Sequence, residues 1–276
     1  MTHRIRGAVM QKRMLVVLSS VVLIMTACGE TGDGTHDPAE PRTSATTTTS
    51  ATASGASTSP TSAGPVALPD GPVTPGRYRF AVPDTCDPKV NHDGWQVCPK
   101  GKSTALPALD ITVPEGWDAA PEVLSLFPTE GRDTTSPNSP ALALGWTSHW
   151  VGLNSHPCSQ VEHQRPDIVV GPSVGDFVDA VVAHPLLNVT EPRPVTLGRF
   201  HGQFFSLLGP KDISGCEEWR PWDPAPYLQG PQNRWDLWVM NIKGVRVVIM
   251  AEYFPETPED IKADLRGMAE SVRFTL

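Results

Sequence analysis

The sequence lacks an excess of positive charge. Its 22 Lys and Arg side chains are outnumbered by 30 Asp and Glu, which gives a formal net charge of −8 at pH 7. Binding to a phosphate backbone needs a basic surface, so this balance argues against a nucleic-acid partner. For the same electrostatic reason, we expect the acidic chain to be repelled by anionic lipid headgroups.

A long apolar run is also lacking. The uncharged stretch near the N-terminus covers only residues 14–27, whereas a permanent transmembrane helix needs about 20 apolar residues. Four basic residues precede it: Arg4, Arg6, Lys12 and Arg13. This plan is typical of a secretory signal that is removed after export. Because the leader carries four positive charges and no negative one, the mature chain stands at −12.

The leader ends in Met25-Thr26-Ala27-Cys28, which resembles the lipobox of bacterial lipoproteins. In that motif the cysteine thiol is acylated and becomes the new N-terminus. Met25 departs from the usual leucine, but a bulky methionine also fits poorly into the small-residue site of ordinary signal peptidase. The resemblance implies cleavage before Cys28, a palmitate-type anchor on that residue, and a location on the outer face of the cytoplasmic membrane.

The chain has few cysteines, and their number is odd. If Cys28 carries lipid, four of the five remain as an even set in an oxidising compartment, where disulfides persist. Of the three possible pairings we favour Cys86 with Cys98, which closes a short loop, and Cys158 with Cys216. On the chain-entropy model the second bridge stabilises the domain by roughly 4 kcal/mol.

Large apolar side chains are almost absent from residues 29–64, which are rich in Ser, Thr, Ala, Gly and Pro. Such a segment cannot bury enough surface to order itself. We therefore predict a signal peptide over residues 1–27, a disordered tether over 28–65 and a single globular domain over 66–276. As a flexible coil the tether has an end-to-end distance of about 35 Å.

Short apolar runs bounded by Gly, Pro and Asp predict strands in the domain. These runs cover residues 77–82, 109–113, 123–127 and 142–146. Two further pairs of runs predict antiparallel hairpins: residues 195–199 and 203–208 flank His201-Gly202, and residues 237–241 and 245–252 flank Lys243-Gly244. The sheet is therefore predicted to be mostly antiparallel, and the chain to close with a strand over 272–276.

Two segments predict helices, each with a capping box at its start. Ser173 with Asp176 opens the first, and Thr257 with Asp260, followed by Pro258 in the first turn, opens the second. Their apolar residues recur at spacings of three and four, as expected of helices packed on a sheet. The stripes are Val174, Phe177, Val178, Val181 and Val182, and then Ile261, Leu265, Met268 and Val272. The predicted fold class is α+β.

Three stretches resemble actinobacterial exported domains with a Mog1/PsbP-like α/β sandwich. They are Asp110-Ile111-Thr112-Val113-Pro114-Glu115-Gly116-Trp117, the helix start Gly171-Pro172-Ser173-Val174, and the ending Ala269-Glu270-Ser271-Val272-Arg273-Phe274. The likeness covers residues 78–274. It implies an antiparallel sheet with helices packed on it, and a binding or adaptor role. The family supplies no catalytic residues to transfer.

Gly171-Pro172-Ser173-Val174-Gly175 matches the G-x-S-x-G pattern of a nucleophile elbow. That elbow belongs to a parallel sheet and needs an acidic residue and then a histidine downstream. Only His184 and His201 follow Ser173. Capping accounts for Ser173 without catalysis.

A zinc site is conceivable because His149, His156 and His163 recur every seven residues, with Asp167 just beyond. Pro157 would break any helix that aligned them, and Cys158 is assigned to a disulfide. We therefore predict no metal site, and no motif for a cofactor is identified.

The third candidate is aromatic. Trp219, Trp222 and Tyr227 lie in a Pro-rich segment over residues 211–234, and a loop of that length in a compact domain is usually functional or disordered. A disulfide at Cys216 argues against disorder. We predict that these rings and Arg220 bind a ligand at the surface; the alternative is that the rings cover the sheet as core residues. Trp235 and Trp238 are predicted to belong to the core.

The sequence therefore predicts a membrane-anchored lipoprotein of the cell envelope. Its domain is expected to be a non-catalytic binding or adaptor module for a wall glycan, a lipid or an envelope protein. An envelope hydrolase is the alternative. Against it, no nucleophile, base and orienting acid occur in a credible order.

Overall fold

The structure is a computed structural model that describes residues 64–80, 108–121, 125–133, 139–147, 151–160, 166–223 and 228–275. Cys28, Cys86, Cys98, His149, His163 and Tyr227 lie outside these ranges. Within them the chain forms the following elements: β1 Val66–Ala67, β2 Gly71–Val73, β3 Gly76–Phe80, β4 Leu109–Val113, β5 Trp117–Ala120, β6 Ser125–Pro128, β7 Ala141–Thr147, β8 Val151–Leu153, β9 Cys158–Ser159, β10 Ile168–Val170, α1 Val174–Ala183, β11 Asn188–Val189, β12 Arg193–Leu197, β13 Phe200–Leu208, β14 Glu218–Trp219, β15 Trp222–Asp223, β16 Arg234–Ile242, β17 Val245–Tyr253, α2 Glu259–Ser271 and β18 Arg273–Phe274.

The largest sheet is antiparallel throughout its described pairs. Its strand order is β11-β13-β16-β17-β7-β6-β5-β2, with β12 also pairing β13. Successive side chains of a strand point to opposite faces, and β16 shows this clearly. Trp238, Met240 and Ile242 enter one buried cluster, and Trp235, Leu237 and Val239 enter another. We call the first side the α2 face and the second the α1 face.

A helix and a small sheet cover the α2 face. The helix buries Ile261, Leu265 and Met268 against it. The small sheet has the order β1-β3-β4-β18 and buries residues such as Ile111 and Phe274 in the same cluster. The predicted apolar stripe of α2 is confirmed, because these residues and Val272 are all buried.

The α1 face is covered by α1 and by two short sheets. Strands β10, β8 and β15 form one, and β14 and β9 form the other. Helix α1 buries Phe177, Val178 and Val181. Val182 departs from the predicted stripe, since it is 46% exposed.

Both predicted hairpins occur, but the turn of the first was placed wrongly. Lys243 and Gly244 have φ values of 54° and 86° and connect β16 to β17 as predicted. In the other hairpin Leu197 pairs with Phe200, so Gly198-Arg199 is the turn, and His201 and Gly202 lie within β13. Gly198 has φ of 60°, a conformation that costs glycine little.

One of the two predicted capping boxes is present. Ser173 Oγ accepts from Asp176 N–H at 3.0 Å, and the Asp176 carboxylate accepts from Ser173 N–H at 2.9 Å. The second box is wrong: α2 has Pro258 as its N-cap and no side-chain capping bond. Thr257 Oγ1 instead accepts from Phe254 N–H at 3.0 Å, because it closes the turn before the helix.

The described elements are mostly antiparallel strands with two helices, so the predicted α+β class is confirmed. The four predicted strands correspond to β3, β4, β6 and β7, and the closing strand to β18. All described residues belong to the compact unit that starts at Pro60.

Candidate functional site

The tryptophans predicted to bind a ligand are buried. Trp219 is 6% exposed and Trp222 is 3% exposed. The Trp222 ring packs edge-on against Phe177 of α1 and Trp235 of β16, with centroid distances of 5.3 and 5.4 Å. The prediction that these rings form a surface is therefore wrong. The prediction that Trp235 and Trp238 are core residues is confirmed.

The aromatic segment is held in place by pairing with strands upstream. Trp219 pairs with Cys158 between β14 and β9, and Trp222 pairs with Leu153 between β15 and β8. The predicted Cys158–Cys216 disulfide is present, with a Cα–Cα distance of 5.0 Å. The described parts of the Pro-rich segment are thus folded onto the α1 face, where Trp219 and Trp222 fill the core.

Arg220 is engaged within the same segment. Its guanidinium lies 3.2 Å from the Glu218 carboxylate and 3.5 Å from that of Asp223, and its side chain is 11% exposed. These contacts fix β14 against β15. An arginine so placed does not offer the accessible anchor that the sequence predicted.

Ser173 is a helix cap and lies far from His184. His184 is the C-cap of α1, so the length of the helix separates it from Ser173 by about 15 Å. The buried His184 ring contacts the Asn154 carbonyl and the Leu186 N–H. His201 contacts Thr196 Oγ1 at 3.0 Å. The His184 ring is therefore too distant to take a proton from Ser173, whose hydroxyl is engaged in the cap.

Of the residues considered for a zinc site, His156 and Asp167 lie within the described residues. Ser155 donates through both its N–H and its hydroxyl to the Asp167 carboxylate, and Ser155 Oγ contacts His156 Nδ1 at 3.0 Å. These bonds from Ser155 hold the pKa of Asp167 below its usual range. Within the described ranges no group of three His, Cys, Asp or Glu side chains is placed to hold a metal ion.

On the α2 face, several polar and charged side chains contact one buried carboxylate, that of Asp236. Asp236 is 2% exposed. It accepts from the Ser206 hydroxyl, from Arg234 Nε at 3.2 Å and from the Tyr253 hydroxyl at 3.1 Å. Arg266 of α2 contacts it at 3.6 Å. We call these five residues the Asp236 cluster.

The Asp236 cluster orients two arginines toward solvent. Arg234 also donates to Ser206 Oγ at 2.9 Å, yet its side chain is 42% exposed, and that of Arg266 is 58% exposed. Burial, and then the charge of Asp236, raises the pKa of Tyr253 to about 12, so its hydroxyl remains a donor. The arrangement is suited to presenting guanidinium groups to an anionic ligand.

The Ser206 hydroxyl is not an activated nucleophile. Ser206 is 3% exposed, and its proton is committed to Asp236. A nucleophile needs access to substrate and a base that accepts its proton during reaction. The cluster therefore positions cations and does not assemble a hydrolytic centre.

Beside the cluster, the α2 face continues as an aromatic and cationic surface. Phe204 is half-buried and contacts the Trp238 ring at a centroid distance of 5.0 Å. Arg193 lies over Phe204, with its guanidinium carbon 4.4 Å from the ring centroid. Phe204 is two residues from Ser206 on β13 and shares its face, so Arg193 extends the same surface as Arg234.

The sequence contains a local indication of the Asp236 cluster. Arg234 and Asp236 alternate with Trp235, which places Asp236 on the same face as Trp238. A carboxylate at such a core-facing position requires a partner. Its partner Ser206 could not be named, because that requires the register between β13 and β16.

A second buried carboxylate occupies the α1 face. Glu252 is 2% exposed and accepts from Trp235 Nε1 at 3.2 Å. Burial raises its pKa to about 7, although hydrogen bonds from Trp235 and Asn233 oppose that shift. Its partners among the described residues are neutral, unlike those of Asp236.

Comparisons with known proteins add no relative. No protein-family model matches the chain, and no curated protein matches it. In the part of the chain that the structure describes, no helix is both long enough and apolar enough to cross a membrane. The function must therefore be inferred from the residues of this chain alone.

Proposed function

We propose that this chain is an exported lipoprotein, anchored by acyl chains on Cys28 to the outer face of the cytoplasmic membrane. Its domain, of the Mog1/PsbP-like sandwich type, is a non-catalytic binding or adaptor module for a wall glycan, lipid or envelope protein. We assign ligand binding to the surface of the Asp236 cluster, because buried Asp236 orients the exposed side chains of Arg234 and Arg266.

The Cys158–Cys216 disulfide supports the exported location. Disulfides persist in oxidising compartments and are rare in the cytosol. With Cys158 and Cys216 bridged, three of the five cysteines remain, and the lipobox resemblance assigns Cys28 to the anchor. The antiparallel sheet with a helix on each face supports the sandwich assignment at the level of architecture.

The orientation of Arg234 and Arg266 is the observation that carries the binding role. A buried carboxylate with three hydrogen-bond donors and an ion pair to Arg266 orients both guanidinium groups while leaving about half of each side chain exposed. Such preorganisation lowers the entropic cost of binding a partner. The serines weighed for catalysis, Ser173 and Ser206, are committed to a cap and to Asp236.

Mass spectrometry of the membrane fraction tests the anchor. We expect an acylated N-terminal Cys28, and Cys28→Ala should give a soluble or uncleaved protein. Unchanged membrane retention with normal processing would contradict lipidation.

Cross-linking in intact envelopes tests the binding surface. We expect Arg234→Gln with Arg266→Gln to lose the cross-links of the unaltered protein. The matched control is Lys243→Asn with Lys211→Gln, which removes the same charge from exposed positions elsewhere. Equal cross-linking by both double variants would exclude the Asp236 cluster as the contact surface. Labelling of either serine by a fluorophosphonate probe would favour the hydrolase.

A further inference from the structure

The outer side of the small sheet carries a band of arginines. Strand β3 buries Tyr78 and Phe80 and exposes Arg77 and Arg79. On β18, Phe274 is buried and Arg273 is exposed. Arg79, Asp110 and Arg273 are in register across β3, β4 and β18, so their side chains share this outer side.

The band continues at the turn between β12 and β13. A side chain added at Gly198 would lie 3.2 Å from the Cδ atom of Arg273, so this turn lies against that arginine. The next residue, Arg199, is exposed. We define the arginine band as Arg77, Arg79, Arg199 and Arg273.

One buried carboxylate orients part of the arginine band. Asp110 accepts from Arg79 Nε at 2.8 Å and from Arg77 Nη2 at 3.1 Å. The hydrogen bond from Arg79 is the main reason that the pKa of Asp110 lies below its usual range. Arg273 instead donates to the Glu270 and Val272 carbonyls at the end of α2. The band keeps a net positive charge in a chain whose total is −8.

The tether enters the domain beside this band. Strand β1 pairs with β3, with Ala67 in register with Arg79. The segment that leads back to Cys28 therefore leaves from the edge of the sheet that carries Arg77 and Arg79. Since adjacent strands lie about 4.8 Å apart, β18 is only about 14 Å from that exit. Val66, at the exit, is 56% exposed.

The acidity of the whole chain does not prevent this side from meeting an anionic surface. Charges interact strongly only within a Debye length of about 8 to 10 Å, and a domain of this size is about 40 Å across. Acidic groups on the far side are therefore screened, while the arginine band acts locally. The expected repulsion from anionic headgroups assumed that the net charge is spread evenly over the domain.

We propose that the arginine band docks the domain on an anionic lipid surface, with the tether exit facing the membrane. The proposal rests on the lipid anchor at Cys28, which keeps the domain within reach of headgroups. The ligand chemistry is the phosphate of the headgroups, which guanidinium groups bind through paired N–H donors. The band is an open face of a sheet, which suits a lipid surface.

Vesicle co-sedimentation tests the proposal with the mature chain from residue 28, made without acylation as Cys28→Ser. Binding is compared between phosphatidylcholine vesicles and an equal mixture of phosphatidylcholine and phosphatidylglycerol. We expect binding to the anionic mixture only, and its loss at high salt. Because each arginine near such a surface adds about fivefold to partitioning, Arg199→Gln with Arg273→Gln should weaken binding by about 25-fold.

The two substitutions avoid the arginines that pair with buried Asp110, so the fold should be retained, which a thermal melt checks. Lys211→Gln with Lys243→Asn is the control of equal charge and should bind as the unaltered chain does. Equal binding to both vesicle types, or an equal loss in both double variants, would overturn the proposal. So would full competition by inorganic phosphate at the lipid phosphate concentration, which would indicate a free-phosphate site. These outcomes do not depend on whether Cys28 is acylated in the cell.

Discussion

Each face of the main sheet buries a carboxylate, and the two carboxylates have different partners. Asp236 and Glu252 belong to paired strands, and Glu252 lies opposite Trp235, the neighbour of Asp236. On the α2 face Asp236 meets two arginines and two hydroxyls. On the α1 face Glu252 meets the indole of Trp235 and the amide of Asn233. Burial without a cationic partner favours the protonated form of a carboxyl, which is the case for Glu252.

The α1 face also buries a cation far from that acid. Arg246 is 1% exposed and donates to the carbonyls of Gly171 and Ser173 at 2.7 and 2.9 Å. Burial lowers its pKa to about 10, although Asp176 opposes the shift. Six residues of β17 separate Arg246 from Glu252, which corresponds to about 20 Å. The α1 face is thus a hydrophobic layer with isolated polar contacts, and the α2 face has a charged rim.

The largest expected effect tests whether the α1 face depends on its tryptophans. Trp222→Ala removes a ring that packs between Phe177 and Trp235. We expect a loss of about 4 kcal/mol in the free energy of unfolding, measured by chemical denaturation. Thr196→Ala, at an exposed position, should change it by less than about 0.5 kcal/mol. Similar stabilities for the two variants would mean that Trp222 is not a core residue.

The next effect depends on pH. Because the pKa of Glu252 is raised to about 7 in the folded state, the native protein holds its proton between the ordinary value of 4.5 and 7. Its contribution to stability is full below pH 4.5 and is lost as pH rises through 7. The loss is about 3 kcal/mol, since one pKa unit corresponds to 1.36 kcal/mol.

Glu252→Gln should therefore flatten the dependence of unfolding free energy on pH between 5 and 8. It should also make the variant more stable than the unaltered protein at pH 8. Carboxyls with a lowered pKa, such as Asp110, contribute fully above their ordinary value of 3.8 and lose that contribution only as pH falls below it, so they do not disturb this window. An unchanged pH profile in the variant would show that Glu252 is ionised in the folded protein.

Asp236→Asn is the counterpart on the α2 face, with a smaller expected effect. The substitution keeps the shape but removes the charge that Arg234 and Arg266 contact. We expect a loss of about 2 kcal/mol at pH 8, because both arginines are about half exposed and can be solvated by water. The two amide variants should thus have opposite signs at pH 8. A stabilising Asp236→Asn would show that the two faces do not differ in this way.

Local patterns predicted both helices and the longer strands, but not short strands such as β8, β9, β14 and β15, which depend on pairing with distant segments. The apolar runs on either side of Lys243-Gly244 predicted the hairpin of β16 and β17, and the two strands pair in regular register. The first hairpin was misplaced by its turn, since His201-Gly202 and Gly198-Arg199 are equally plausible as turn residues. Pairing with Val195 on one side and Met240 on the other shows that Gly202 lies inside a strand.

The candidate site was the least predictable part. Trp219 and Trp222 follow acidic residues and a proline, which give no local indication that the two rings are buried. They are buried because their strands pair with β9 and β8, more than sixty residues upstream. The Asp236 cluster joins residues from β13, β16, β17 and α2. Long-range contacts of this kind leave no local spacing to recognise. The disulfide was predictable because cysteine parity does not depend on register.

The smallest expected effect concerns the N-terminal cap of α1. The backbone of this cap binds Arg246, the buried cation of the α1 face. Ser173→Ala removes the hydroxyl that accepts from Asp176 N–H, which should cost about 1 kcal/mol of unfolding free energy. Ser173→Asp should restore most of that loss, because a carboxylate also caps a helix N-terminus and favours its dipole. The Ser173 carbonyl that binds Arg246 is retained in both variants, so Arg246 should stay buried and the effect should remain small. Denaturation of the three proteins at one pH measures the order. A loss of several kcal/mol in Ser173→Ala, or no rescue by Asp, would show that Ser173 does more than cap the helix.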